Sequence, residues 1–179
     1  FDALQQKTLL GLARDTIVRK IRYGSYQVRV DPADPQFLRP QGVFVTIKID
    51  EQLRGCIGYI ESKQSLYQNV QECAIKAAIA DPRFSPMTED ELDQMELEIS
   101  VLSPVKELKN VKDIKIGSTG LILEYAGRRG LLLPQVPVEQ NWSVQQFLDG
   151  LCQKTGLSPM AWKDPAAKLS YFTAQVFGE

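Results

Sequence analysis

The fold of this chain is decided by residues 43–60, which read VFVTIKIDEQLRGCIGYI. Apolar and polar residues alternate over 43–49, as they do in a strand with one buried face. A short polar connection follows and predicts a hairpin, with 53–60 as its returning antiparallel strand. Because successive side chains of a strand point to opposite faces, Arg54 and Cys56 are expected on the same face.

Helices and further strands are predicted on both sides of this hairpin. The predicted elements are a helix over 3–22, a loop over 31–40, a helix over 65–80, a strand over 95–101, a hairpin over 121–133, a helix beginning after Ser143 and a closing strand over 171–177. Regular alternation of strands and helices, which a parallel sheet needs, is absent. The sequence therefore predicts an α+β fold with an antiparallel sheet and packed helices.

The composition is that of an ordinary folded domain. The chain has 179 residues, of which 44% are hydrophobic and 24% charged, and its formal net charge is -1. That length suits a single domain over 1–179, with room for two subdomains. A net charge near zero provides no general attraction for nucleic acid or for an anionic membrane.

The chain contains no histidine, which excludes histidine-based catalytic triads and histidine-ligated metals within it. No metal site is predicted, and any general base must be Asp, Glu, Lys, Tyr or Cys. The three cysteines, Cys56, Cys73 and Cys152, are widely spaced and predict free thiols in a reducing, cytoplasmic location. No apolar run reaches the roughly 18 residues of a membrane span.

Cys56 is the candidate reactive centre. Gly55 and Gly58 flank it, and the missing side chains would allow a ligand to approach the backbone closely. Arg54 would hold an anionic group and would favour the thiolate. The alternative interpretation is that the glycines permit a bulge or tight packing, and that Cys56 only fills space. Cys73 and Cys152 fall on apolar helix stripes and are interpreted as core residues.

Charged residues elsewhere supply the other candidate site groups. Glu96 and Glu98 share the polar face of one predicted strand, either as a solvated face or as the wall of a cleft. In the second case Glu98 is the candidate catalytic base and Glu96 a ligand contact. Arg83 is a candidate second anion clamp, or it braces its own turn through a local carboxylate.

Several motifs of this chain, taken in order, resemble those of the AMMECR domain family. They are LRGCIG at 53–58, DPRF at 81–84, ELEISVLS at 96–103, GLLLPQV at 130–136, and FL at 147–148 followed by KTGL at 154–157. The match runs from about residue 3 to residue 177. One departure is Thr119, at a position where many members carry His or Asp.

The resemblance implies an α+β fold with two subdomains and a motif cysteine near a cleft between them. It implies no settled activity and names no cofactor. Bacterial and archaeal members look functionally linked to Memo-like proteins and radical SAM proteins, a grouping called AmmeMemoRadiSam, which implies a shared pathway or complex.

Three hypotheses follow for the function. The first is a cleft enzyme or small-ligand-binding protein that uses Cys56. The second is a non-catalytic accessory module that binds a Memo-like or radical SAM partner. The third is nucleic-acid binding through Arg128, Arg129 and neighbouring lysines, which the net charge disfavours.

Overall fold

The computed structural model describes residues 1–25 and 34–179. The predicted loop over 31–40 therefore lies partly outside the described residues, and its later part contains the 3-10 turn Pro35–Leu38. The chain forms two compact units. Unit 1 comprises Phe1–Leu102 and Gln175–Glu179, and unit 2 comprises Ser103–Ala174.

Unit 1 packs two helices against an antiparallel sheet. Its elements are α1 (Ala3–Tyr23), β1 (Val43–Ile49), β2 (Gln52–Tyr59), α2 (Leu66–Ile79) and β3 (Glu96–Leu102). The hairpin between β1 and β2 turns at Asp50 and Glu51, with φ of 51° and 63°. These left-handed values match the twist of a two-residue hairpin loop. β1 is the central strand, since it pairs with β2 on one side and with β3 on the other.

Local sequence signals explain where the helices of unit 1 begin and end. The Asp2 carboxylate accepts the Gln5 backbone N–H, and the Gln5 side chain accepts the Asp2 N–H, so both form a capping box at the start of α1. Gly24 ends the helix in the left-handed conformation, at φ 69°. The buried side of the sheet is formed by alternate β1 residues, Val43, Val45 and Ile47, which belong to the core that also contains α1 and α2 residues.

Unit 2 contains further antiparallel strands and has its own core. Its elements are β4 (Lys106–Glu107), β5 (Thr119–Tyr125), β6 (Arg128–Leu132), α3 (Val136–Glu139), α4 (Val144–Lys154) and the first part of β7 (Lys168–Gly178). Its strands follow the order β6-β5-β7-β4. Phe147, Leu148 and Leu151 of α4 are buried in a core with β5 residues.

The predicted α+β class with antiparallel strands and packed helices is confirmed. Strand β7 spans Lys168–Gly178 and is longer than the predicted strand over 171–177. Its residues are divided between the two units. Its last residues, from Gln175 onward, belong to unit 1, where the Glu179 N–H donates to the Leu97 carbonyl of β3.

Candidate functional site

Cys56 lies in the middle of β2, which is an edge strand of the sheet in unit 1. Its backbone N–H donates to Oδ2 of Asp81 at 2.9 Å. Its carbonyl accepts a hydrogen bond from Nη2 of Arg83 at 3.2 Å. The turn that contains Asp81 and Arg83 therefore satisfies the open edge of β2 at the motif cysteine, where an unpaired strand edge would otherwise be exposed.

The Cys56 thiol is partly exposed and is hydrogen-bonded within the sheet. Thr46 lies directly opposite on β1, and its Oγ1 donates to the Cys56 Sγ at 3.3 Å. The other two thiols are fully buried. Burial raises the pKa of Cys73 to about 12 and also raises the pKa of Cys152. Cys56 is therefore the one cysteine of the three that a solute can reach in the folded chain.

The glycines beside Cys56 are required by the packing of unit 1. A Cβ on Gly55 would lie 2.1 Å from the carbonyl oxygen of Ala77 in α2. A Cβ on Gly58 would lie 2.3 Å from the ring of Phe44. The close approach that these glycines permit is thus made by the protein's own groups, as the packing interpretation expected. Ligand contact at Gly55 and Gly58 stays a prediction.

The pairing of β2 with β1 shifts register between Ile47 and Lys48, where Arg54 has no partner on β1, so the alternation that the sequence predicted is interrupted by a bulge at this point. The Arg54 guanidinium is engaged by Glu91. Nε and Nη2 bind the two Glu91 carboxylate oxygens at 2.6 and 3.0 Å. This hydrogen bonding is the main cause of the lowered pKa of Glu91, which also caps its own turn by accepting the Thr88 N–H. Because Glu91 pairs with Arg54, and because the Arg54 side chain is only 15% exposed, little of its positive charge is accessible to a solute.

Arg83 braces its own turn through Asp81, as one of the two interpretations predicted. Asp81 accepts from the Arg83 Nε at 2.9 Å and from Nη2 at 2.7 Å, and its side chain is only 2% exposed. These bonds hold the pKa of the Asp81 carboxyl well below its usual range. The Arg83 side chain itself is 53% exposed, and its guanidinium lies 5.5 Å from the centre of the Phe84 ring. Arg83 thus keeps an accessible positive charge beside Cys56.

The predicted carboxylates lie on the same sheet face as Cys56. Thr46 is opposite Cys56 on one side and opposite Glu98 on the other, so the three residues form a row across the strands. Two strand spacings separate Cys56 from Glu98, a distance of about 10 Å. The Glu98 carboxylate binds Nζ of Lys48 at 3.0 Å, and Glu96 is exposed opposite Lys48. We call the surface formed by Thr46, Lys48, Cys56, Arg83 and Glu98 the thiol face.

Sequence reasoning did not identify Thr46, Asp81 or Glu91 as parts of this arrangement. Alternation along β1 places Thr46 on the face opposite the core, but only the strand register puts it beside Cys56. Asp81 belongs to the DPRF motif at 81–84, but no local pattern connects Asp81 with Cys56 or Glu91 with Arg54. Among residues 1–25 and 34–179, no group of three His, Cys, Asp or Glu residues is arranged to hold a metal ion. No described helix combines the length and apolar character that crossing a membrane requires.

Comparison with known proteins gives a consistent result over nearly the whole chain. A family model described as AMMECR1 matches residues 10–177. A protein of Methanocella arvoryzae is 43% identical over 174 residues, which cover 93% of this chain and 87% of that protein. A protein of Methanopyrus kandleri is 42% identical over 180 residues, covering 96% of this chain and 86% of its own length.

A solved structure agrees with the fold. The crystal structure of uncharacterized protein PH0010 from Pyrococcus horikoshii superposes with a TM-score of 0.93 at 35% sequence identity. The superposition covers 100% of this chain and 93% of that one, which confirms the AMMECR-like fold implied by the sequence motifs. The chain therefore belongs to the AMMECR1 family.

Proposed function

We propose that the chain binds a small electrophilic ligand on the thiol face, with Cys56 as the reactive group. One observation carries this proposal: the only partly exposed thiol of the three accepts a hydrogen bond from Thr46 at 3.3 Å. This contact holds the sulfur in place on the sheet, where a ligand can reach it. Reactive cysteines are typically partly exposed and lie near a positive charge, and Arg83 provides such a charge beside Cys56.

The neighbouring charges support an anionic ligand. Arg83 is half exposed and donates to the Cys56 carbonyl, so an anionic group near the thiol would meet its guanidinium. Arg54 is less suited to that task, because Glu91 already binds it through two hydrogen bonds. When Cys56 attacks the ligand, its thiol proton would pass to water, because Glu98 lies about 10 Å away. A ligand that extends along the row would meet Lys48 and Glu98, which are bound to each other at 3.0 Å.

Alkylation with iodoacetamide tests the proposal under native conditions, with mass spectrometry reporting each cysteine. We expect Cys56 to be modified in the folded protein, and Cys73 and Cys152 only on unfolding, because both are buried. Thr46→Val keeps the side-chain shape and removes the hydroxyl. It should slow Cys56 modification by about threefold to tenfold, because the sulfur is no longer held in place by a hydroxyl.

Thr8→Val is the matched control, since it removes an exposed hydroxyl that binds only the Leu4 carbonyl of α1. It should leave the modification rate of Cys56 unchanged. If Cys56 reacts only after unfolding, or if Thr46→Val reacts as fast as the unchanged protein, Cys56 is not an activated nucleophile.

The second candidate function is a non-catalytic module for a Memo-like or radical SAM partner. It is favoured by the packing around Gly55 and Gly58 and by the ion pair of Arg54 with Glu91, since these contacts within unit 1 give all three residues a structural role. Cys56→Ser separates the two functions in a pull-down with such a partner. Capture of such a partner by Cys56→Ser as well as by the unchanged protein, together with alkylation of Cys56 only after unfolding, would favour the module. Alkylation of Cys56 under native conditions with no partner captured would favour the thiol site.

A further inference from the structure

A cavity is lined entirely by residues of unit 2, none of which belongs to the thiol face. It has a volume of about 580 Å³ and is bounded by the segment from Glu107 to Thr119 and by Tyr171 and Thr173 of β7. That volume is within the range of pockets that hold small molecules. Its lining includes three lysines, Lys109, Lys112 and Lys115, and we call it the lysine pocket.

The three lysines outnumber the two carboxylates of the lining, Glu107 and Asp113. All three lysines are exposed, and within the described part of the chain none forms an ion pair. This differs from unit 1, where Arg54, Arg83 and Lys48 are each bound by a carboxylate. An anion placed between the lysines would therefore meet an excess of positive charge that no ion pair already uses.

The backbone around these lysines is held in place by Thr119. The Lys115 N–H donates to Thr119 Oγ1 at 3.0 Å, and the Thr119 N–H donates back to the Lys115 carbonyl at 2.9 Å. Asn110 fixes the preceding turn by accepting the Lys112 N–H at 2.9 Å. Two of the three lysines therefore extend from a braced backbone, which reduces the entropy lost when they bind a ligand.

We propose that the lysine pocket binds a small phosphate-bearing molecule. Lys109, Lys112 and Lys115 would contact the phosphate oxygens, and the Tyr171 and Thr173 hydroxyls in the lining would supply neutral hydrogen bonds. Glu107 and Asp113 also line the cavity and leave it a net charge of only about +1, which suits a compact anion better than a long polyanion such as RNA. This inference goes beyond the function proposed for the thiol face and does not depend on it.

Calorimetric titration with inorganic pyrophosphate at low ionic strength tests the proposal. We expect saturable binding of one pyrophosphate per chain. Replacing Lys109, Lys112 and Lys115 together by Gln should weaken that binding by at least about tenfold. Replacing the same three residues by Arg should largely restore it, which shows that the loss reflects charge and not a damaged fold.

Lys154→Gln, which removes an exposed lysine of unit 2 outside the pocket, should bind pyrophosphate as the unchanged protein does. Cys56→Ser should also bind normally, so failure at the thiol face and failure at the lysine pocket are distinguishable. The absence of saturable binding, or an equal loss in Lys154→Gln, would overturn the proposal. Binding of a single-stranded RNA oligonucleotide much tighter than pyrophosphate, and lost in the Gln variant, would overturn it in favour of a nucleic-acid surface.

Discussion

Single residues around Cys56 show how a motif can be required by the fold as well as by a site. Gly55 makes room for the backbone of α2, and Arg54 holds the turn that contains Glu91. Cys56 is different, because its sulfur accepts a hydrogen bond from the hydroxyl of Thr46, which lies opposite it on β1. We therefore expect any reactivity of this motif to depend on Cys56 and Thr46, and not on Gly55 or Arg54.

Gly55→Ala should strongly destabilise the fold. The new Cβ would lie 2.1 Å from the carbonyl oxygen of Ala77, a backbone atom that can move only if α2 shifts. We expect a loss of about 3 kcal/mol in the free energy of unfolding, measured by urea denaturation. Gly11→Ala is the control in α1, where a Cβ meets nothing within 4 Å. It should stabilise the protein by about 0.5–1 kcal/mol, and equal effects of the two changes would contradict the packing argument.

At the scale of elements, the turn after α2 protects the open edge of β2. Asp81 and Arg83 together satisfy the N–H and the carbonyl of Cys56, and Asp81 is almost fully buried while doing so. A local sequence motif of four residues thus completes a strand that is distant from it in the chain. The position of Cys56 depends on this contact, since it fixes the backbone of β2 at that residue.

Asp81→Asn should lower stability at neutral pH by about 2–3 kcal/mol, because it removes a buried charge that binds Arg83. The folded state holds the pKa of Asp81 below its usual range, so the carboxylate stabilises the fold at neutral pH. That contribution is lost as the pH falls below about 4. Denaturation at several pH values should therefore show that the free energy of unfolding falls less steeply with decreasing pH in the variant than in the unchanged protein. Glu139→Gln, an exposed change in unit 2, should leave the midpoint at neutral pH unaltered.

Most elements could be predicted from periodicity, but the contacts between them could not. Alternation over 43–49 and helical spacing over 65–80 correspond to β1 and α2 within one residue at each end. The two-residue strand β4 has no periodicity to detect. The Thr46–Cys56 contact depends on strand register, and the Asp81–Cys56 contact joins residues 25 positions apart. Both are tertiary features that local patterns do not contain.

At the scale of the whole molecule, each compact unit has its own core and its own buried cysteine. Cys73 belongs to the core of unit 1 and Cys152 to the core of unit 2. A buried thiol reacts only when the structure around it opens, so the two cysteines report on the opening of the two units separately. Phe177 lies in the core of unit 1 although it follows all of unit 2 in the sequence.

Phe177→Ala and Phe147→Ala should therefore open different units. Each removes a buried aromatic ring, and each should cost its unit about 3–5 kcal/mol. Under native conditions Phe177→Ala should accelerate alkylation of Cys73 at least about tenfold more than that of Cys152, because a difference of about 1.4 kcal/mol already gives that factor. Phe147→Ala should produce the opposite ratio. Equal acceleration of both cysteines in both variants would show that the two units open together. Preferential acceleration of Cys73 in Phe177→Ala would show that the end of β7 contributes to the stability of unit 1.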